Sequence, residues 1–281
     1  MPNLFAKDAV GSEEVAFVSR YDSRVQAFCA VQPKFQELLS RFTNAFDVPL
    51  EPVVFIVRDD VIPKVSDNSA LLSFRDLVVM SVVPYARSLN LVYRPDDRIV
   101  YSNSFWLYPW TFSKENQHLI ASTPALTAFH VVEQFHGQSS PELSENDLTD
   151  VDKHLFEALI LRWKRHFLGT RQRWQDRALF RSLNMATQAA QLPAGVDTTL
   201  YDLGRMSALW VSAFEILAHP RKGNSGLRSV YPLFERVSYL DRNVGQCRYA
   251  AYMIGKKPWP RRPLPCWLYG KLYQARCDFL H

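Results

Sequence analysis

His136-Gly137-Gln138-Ser139-Ser140-Pro141-Glu142-Leu143-Ser144-Glu145-Asn146-Asp147-Leu148-Thr149-Asp150 is where the pattern of this chain changes, and the reading of the fold turns on it. The stretch is polar and poor in large apolar side chains, the composition of a linker between domains. Downstream, Val151, Leu155, Leu159 and Arg162 or Trp163 recur at spacings of three or four, the period of a helix with one buried face. Asp147 to Asp150 offer N-cap oxygens at its start. Upstream, short runs rich in β-branched and aromatic residues dominate: Val53-Val54-Phe55-Ile56-Val57, Leu89-Asn90-Leu91-Val92-Tyr93 and Arg98-Ile99-Val100-Tyr101. The expected fold class is α+β, with a mixed α+β domain over residues 1–147 and an all-α helical bundle over 148–281.

In the first half, the runs 89–93 and 98–101 flank the turn formers Arg94-Pro95-Asp96-Asp97 and predict a hairpin, with short helices over 33–45 and 69–80 beside the sheet. The run Ser104-Phe105-Trp106-Leu107-Tyr108-Pro109-Trp110-Thr111-Phe112 reads as core filling more readily than as a platform for stacking bases, because large aromatics on a strand usually face inward. In the second half, helices are predicted over 149–168, 173–191, 199–218, 231–241 and 266–281. Pro193-Ala194-Gly195 ends the second, His219-Pro220 the third, and the connector Pro258-Trp259-Pro260-Arg261-Arg262-Pro263-Leu264-Pro265 precedes the last. No strand is expected among them.

The net charge of +5 averages two unlike halves. Residues 1–152 hold 12 Lys and Arg against 20 Asp and Glu, a net of −8, whereas 153–281 hold 21 against 8, a net of +13. Such an excess of cations attracts polyanions, with nucleic acid the first candidate and a merely solvated basic face the alternative. No run of eighteen uncharged apolar residues occurs, and MPNLFAKDAVGSEE has neither a signal-peptide core nor a transit composition, so the expectation is a cytoplasmic protein with no membrane partner. The four cysteines, Cys29, Cys247, Cys266 and Cys277, form no C-x-x-C pair and read as reduced thiols. His130, Glu133 and His136, or His154 and His166, make no metal-ligand set, and no glycine-rich phosphate loop is present, so neither a metal nor another cofactor is expected.

The last residues, Arg276-Cys277-Asp278-Phe279-Leu280-His281, place a guanidinium and an imidazole at the end of a helical stretch. These are the two groups needed to cleave an RNA backbone without metal: one grips phosphate, the other exchanges a proton near neutral pH. The spacing arises by chance in a chain this rich in arginine, so position decides its weight. The alternative is that Arg276 caps a helix or pairs with Glu215 and His281 is a surface residue. Lys256, Lys257, Trp259, Arg261 and Arg262 precede that helix and combine four cations with an indole, either an RNA-binding loop or a solubilising one.

Read together, three features of residues 148–281 resemble the HEPN domains, helical nucleases and nucleotide-binding modules. They are the paired long helices around Arg181-Ser182-Leu183-Asn184-Met185-Ala186 and Asp202–Leu217, the segment Ala213-Phe214-Glu215-Ile216-Leu217, and the terminal Leu272-Tyr273-Gln274-Ala275-Arg276-Cys277-Asp278-Phe279-Leu280-His281. The last is similar to the family's Tyr-x-x-Arg-(Asn/Asp/His)-x-x-x-His signature. The resemblance implies a metal-independent endoribonuclease, with Arg276 and His281 catalytic, Asp278, Tyr273 and Glu215 supporting, and a homodimer bringing two such helices face to face. It also implies a defence or toxin-type effector whose N-terminal half senses a trigger or regulatory partner. The other reading is a noncatalytic HEPN module that binds RNA, nucleotide or a partner protein. Two departures stand out: Cys277 occupies the position of the usual polar residue, with Asp278 one place later, and the sequence stops at the histidine, where a glycine and a closing helix usually follow, so a fragment or truncated chain is expected.

Overall fold

The strand-forming run Val15–Ser19 organises the first part of the chain because its apolar residues are covered on both faces. The computed structural model describes residues 9–44, 49, 52–65, 68–93, 102–105, 107, 110–112, 119–123, 126–129, 137–139, 151–191, 199–239, 241–255 and 257–280. Their contacts divide the chain into two compact units, Met1–Leu168 and Gly169–His281.

In the first unit, β1 (Val10–Gly11) and β2 (Val15–Ser19) lead into α1 (Ser23–Val31), α2 (Pro33–Ser40) and β3 (Phe42–Asn44). Next come β4 (Val53–Val57), α3 (Ile62–Val65), the long α4 (Asn68–Tyr93) and a 3-10 turn at Ser102–Phe105. The strands β5 (Trp110–Phe112), β6 (Leu119–Thr123), β7 (Leu126–Phe129) and β8 (Gly137–Ser139) follow, and α5 (Lys153–Trp163) ends in a π-helical turn, Lys164–Leu168. The antiparallel sheet β1-β2-β4 pairs Val15 with Val57 through Ser19 with Val53. Ala16 and Val18 pack on Val25, Cys29 and Leu39 of α1 and α2. On the opposite face, Phe17, Phe55 and Phe74 form a triangle of rings with centroids 5.1–5.2 Å apart. Alternation along β2 sends successive side chains to opposite faces, so a continuous apolar run marks a strand buried on both.

Several expectations are corrected here. Residues 89–93 continue α4 rather than form a strand, and the other arm of the predicted hairpin, 98–101, lies outside the described residues. The β-rich local composition yields to the helix it extends, whose Phe74, Leu77, Val78 and Val79 are wholly buried. The helix predicted over 33–45 stops at Ser40, and Phe42–Asn44 pairs in parallel with β8, inside the predicted linker. The helix expected over 69–80 lies within α4, and 53–57 is β4. Phe105 of the aromatic run is fully buried, while Trp106, Tyr108 and Pro109 lie outside the described residues.

The helix expected to begin the bundle is α5, and it packs in the first unit. Trp163 is enclosed, donates from Nε1 to the Ala70 carbonyl at 3.0 Å and meets Phe74 edge-on at 5.5 Å. Asp152 caps α5 through its side chain and donates its own N–H to the Ser81 carbonyl. Lys164 pairs with Glu14 at 2.6 Å, which pulls the Glu14 carboxyl down to about 2. The contact boundary thus falls after Leu168 instead of between 147 and 148. Within this unit, the window Ser69–Ser88 is long and apolar enough to cross a membrane by length and composition, with 61% of it buried inside the protein.

The second unit comprises α6 (Trp174–Ala189), α7 (Leu200–Ala218), α8 (Leu227–Phe234), α9 (Arg242–Gln246), β9 (Tyr249–Ala250), β10 (Arg261–Arg262) and α10 (Leu264–Leu280). A capping box between Thr199 and Asp202 starts α7, and the Ser182 hydroxyl donates to the Ala213 carbonyl at 2.8 Å, tying α6 to α7. The core gathers Val211, Leu227, Val230, Tyr231, Ala251, Met253, Cys266 and Tyr269. The helix predicted from residue 231 begins at Leu227 instead, because Leu227, Val230 and Tyr231 form its buried face. The bundle also contains strand structure: β9 and β10 make a short antiparallel ribbon that holds the basic loop at its base.

Candidate functional site

The site the sequence points to is built where α10 lies along α7. Glycines permit close approaches around α10. A Cβ on Gly204 of α7 would fall 2.0 Å from the Phe279 ring, so the last turn of α10 seats directly on the α7 backbone. Tyr201 meets the same ring at 6.0 Å. A Cβ on Gly270 would fall 2.9 Å from the Tyr231 hydroxyl and 3.1 Å from the Tyr252 amide, which presses the first half of α10 against α8 and the chain at 252.

Within that frame, Arg276 reaches Glu215 of α7. Its Nη1 lies 3.4 Å from both carboxylate oxygens, and the two side chains are 26% and 19% exposed. The contact is long and single-armed rather than the forked pair an arginine can make. Burial raises the Glu215 pKa and the charge of Arg276 only partly offsets this. The Ser225 hydroxyl donates to the Glu215 carbonyl at 2.8 Å and ties the chain after α7 to this turn. Arg276 Cζ sits 5.8 Å from the centre of the Tyr273 ring. Tyr273 and Tyr269 both have raised pKa values, chiefly from burial, and stay neutral phenols at physiological pH. The Tyr269 hydroxyl is buried with no hydrogen-bond partner among the described residues.

The other sequence candidates are distributed unevenly. Asp278 is exposed and makes no ion pair with a described residue. His281 and Lys256 lie outside the described residues, as do His130, Glu133 and His136. Lys257 and Arg261 are exposed. Trp259 meets Tyr252 edge-on at 5.4 Å, and Tyr252 in turn lies 6.2 Å from Tyr273. An aromatic chain thus joins the basic loop to Arg276. Arg262 is committed elsewhere: it pairs with Glu235 and lies 4.8 Å over the Tyr231 ring. Tyr252 and Ser225 complete the surroundings, and neither belongs to a sequence motif that would have singled it out. No group of three or more His, Cys, Asp or Glu side chains among the described residues is placed to hold a metal ion.

The first unit has its own cleft, about 700 Å³, lined by Phe28, Phe35, Val54 and Ile56 together with Glu13 and Arg58. Comparison of the chain with protein-family models, curated proteins and solved structures finds no match.

Proposed function

We propose that the helical second unit is HEPN-like and cleaves RNA without a metal ion, as a homodimer, with Arg276 and His281 as its catalytic residues. The observation that carries this reading is the seating of the last turn of α10: Phe279 on Gly204 holds the turn that bears Arg276, the residue that would grip the phosphate. Catalysis of this kind needs its phosphate-binding and proton-transfer groups held in a fixed geometry. One imidazole would take the proton of a ribose 2′-hydroxyl as that oxygen attacks the adjacent phosphorus. The imidazole of the second copy would protonate the departing 5′-oxygen. Arg276 would neutralise charge on the nonbridging oxygens, and the product would end in a 2′,3′-cyclic phosphate. Lys257, Trp259 and Arg261 would guide the strand, and the first unit would respond to a trigger or regulatory partner in a defence or toxin setting.

A second reading is favoured by one contact. Arg276 already faces the Glu215 carboxylate, and a guanidinium so neutralised serves a binding module better than a phosphate clamp. The two are separated by incubating the purified chain with single-stranded RNA in excess EDTA. Cleavage to cyclic phosphate ends supports the nuclease, and activity that requires Mg²⁺ overturns it. Binding without cleavage leaves the noncatalytic module.

A further inference from the structure

A cleft of about 740 Å³ in the second unit is walled by Arg171, Arg173, Trp174, Arg177, His219 and Arg221, where the start of α6 meets the end of α7. No ion pair joins Arg171, Arg173 or Arg221 to a described carboxylate, and among the described residues the Arg177 guanidinium donates to the Gln172 amide oxygen, at 3.3 Å. Asp176, the nearest acid in sequence, is buried and does not line the cleft. Guanidinium groups that share a concave surface without an acid repel one another and focus a positive field on the space between them.

Three further features give that field a shape. The α6 helix is sixteen residues long, and its N-cap, Arg173, supplies no side-chain acceptor to the first-turn N–H groups. Those donors and the positive end of the helix dipole suit an anion. Trp174 Nε1 is shielded from solvent and has no acceptor among the described residues, and its ring meets His219 at 5.9 Å. His219 Nδ1 accepts from the Arg221 N–H at 3.0 Å, so the neutral ring carries its proton on Nε2 and is a donor there. Arg221 achieves this with φ of 73°, in the left-handed region that a residue with a Cβ adopts only when something holds it.

We infer that this cleft binds a phosphate-bearing ligand, holding one or more phosphoryl groups between Arg171, Arg173 and Arg221 with Trp174 beside them. Its volume exceeds what a lone phosphate needs and lies in the range of small-ligand sites. The same groups would accept the phosphate chain of a free nucleotide or the phosphates of an RNA strand, because guanidinium forks read phosphoryl oxygens in either setting. The inference goes beyond the cleavage reading and uses neither Arg276 nor His281.

The test is equilibrium binding of the full chain to two probes, inorganic tripolyphosphate and a twelve-nucleotide single-stranded RNA with hydroxyl ends. The double variant Arg171→Gln/Arg173→Gln is compared with a control of equal charge change, Arg228→Gln/Arg236→Gln, whose side chains are exposed on the same unit outside the cleft, and Arg221→Gln is compared with Arg228→Gln alone. The cleft double variant is expected to lose about tenfold or more in affinity for at least one probe, with the salt slope falling by roughly two, while the control loses under threefold. Circular dichroism confirms that these surface changes leave the fold intact. Loss confined to tripolyphosphate assigns the cleft to a free or terminal phosphate chain, and loss confined to RNA assigns it to the strand backbone. Equal losses in cleft and control variants, or no measurable binding of either probe by the parent chain, overturn the proposal.

Discussion

Arg276 and the arginines of the α6 cleft belong to the same helical unit, yet they differ in what stands opposite them. Arg276 faces the half-buried carboxylate of Glu215, while Arg171, Arg173 and Arg221 share a cleft with Arg177, an indole and an imidazole and meet no carboxylate among the described residues. A motif marks an arginine by its place in sequence, but its readiness to take a phosphate depends on whether a carboxylate has already neutralised it. The arginine that the sequence singles out is thus the partnered one, and the cluster with no described carboxylate drew no attention in sequence.

The largest effect that could break this comparison is catalytic. His281→Ala is expected to lower RNA cleavage by about 10²–10⁴-fold while changing RNA affinity under twofold, because a proton-transfer group contributes little to ground-state binding. Product analysis on a denaturing gel, beside a binding titration, checks it. Unchanged cleavage would reduce the Arg276 region to a structural ion pair. Next in size is the seat of α10. Gly204→Val places a branched side chain where the Phe279 ring lies, and should destabilise the chain by about 1–3 kcal/mol in a denaturant titration. Faster hydrogen exchange over 272–280 should accompany it. If exchange there is unchanged, the last turn is not held by this contact.

A smaller change sharpens the comparison directly. Glu215→Gln frees Arg276 and should strengthen RNA binding about two- to threefold, with a steeper salt dependence, whereas the cleft variants weaken it. The same substitution has a pH signature. Because burial raises the Glu215 pKa in the fold, its contribution to stability is fully present below the ordinary carboxylate range and is lost as pH rises through its raised value. The parent should therefore lose some stability, relative to Glu215→Gln, as pH climbs just above that range, as read by melting temperature. Glu14 behaves oppositely: Lys164 holds its pKa at about 2, so its contribution is present above the ordinary carboxylate range and disappears as pH falls towards 2. The smallest effect belongs to Tyr269→Phe, which removes a buried hydroxyl without a described partner and should leave stability unchanged or raise it by up to about 1 kcal/mol. A loss beyond that would reveal an acceptor for the phenol.

Much of the helical unit was legible in sequence because its signals are local. Thr199 with Asp202 states a helix start, Pro193 and His219-Pro220 state ends, and the three-and-four spacing states a buried face. The strand Val53–Val57 was legible for the same reason. Leu89–Tyr93 misled because five residues of strand-like composition cannot reveal that they continue a helix anchored by Phe74 and Leu77. The helix expected to begin the bundle misled because an apolar helical face does not name its partner, and its Trp163 found Ala70 and Phe74.

By itself the sequence determined the α+β class, the separation of acidic from basic charge, and the positions of Arg276 and Glu215 on two helices. These follow from composition and from interactions within a few residues, which chain order specifies. Only the tertiary structure decided that Arg276 faces Glu215, that Phe279 occupies the space left by Gly204, and that Arg171, Arg173 and Arg221 share a cleft lined by no acid among the described residues. Each of these depends on the packing of helices distant in sequence. Whether a charge is buried, paired or left open is a property of that packing and not of the residue.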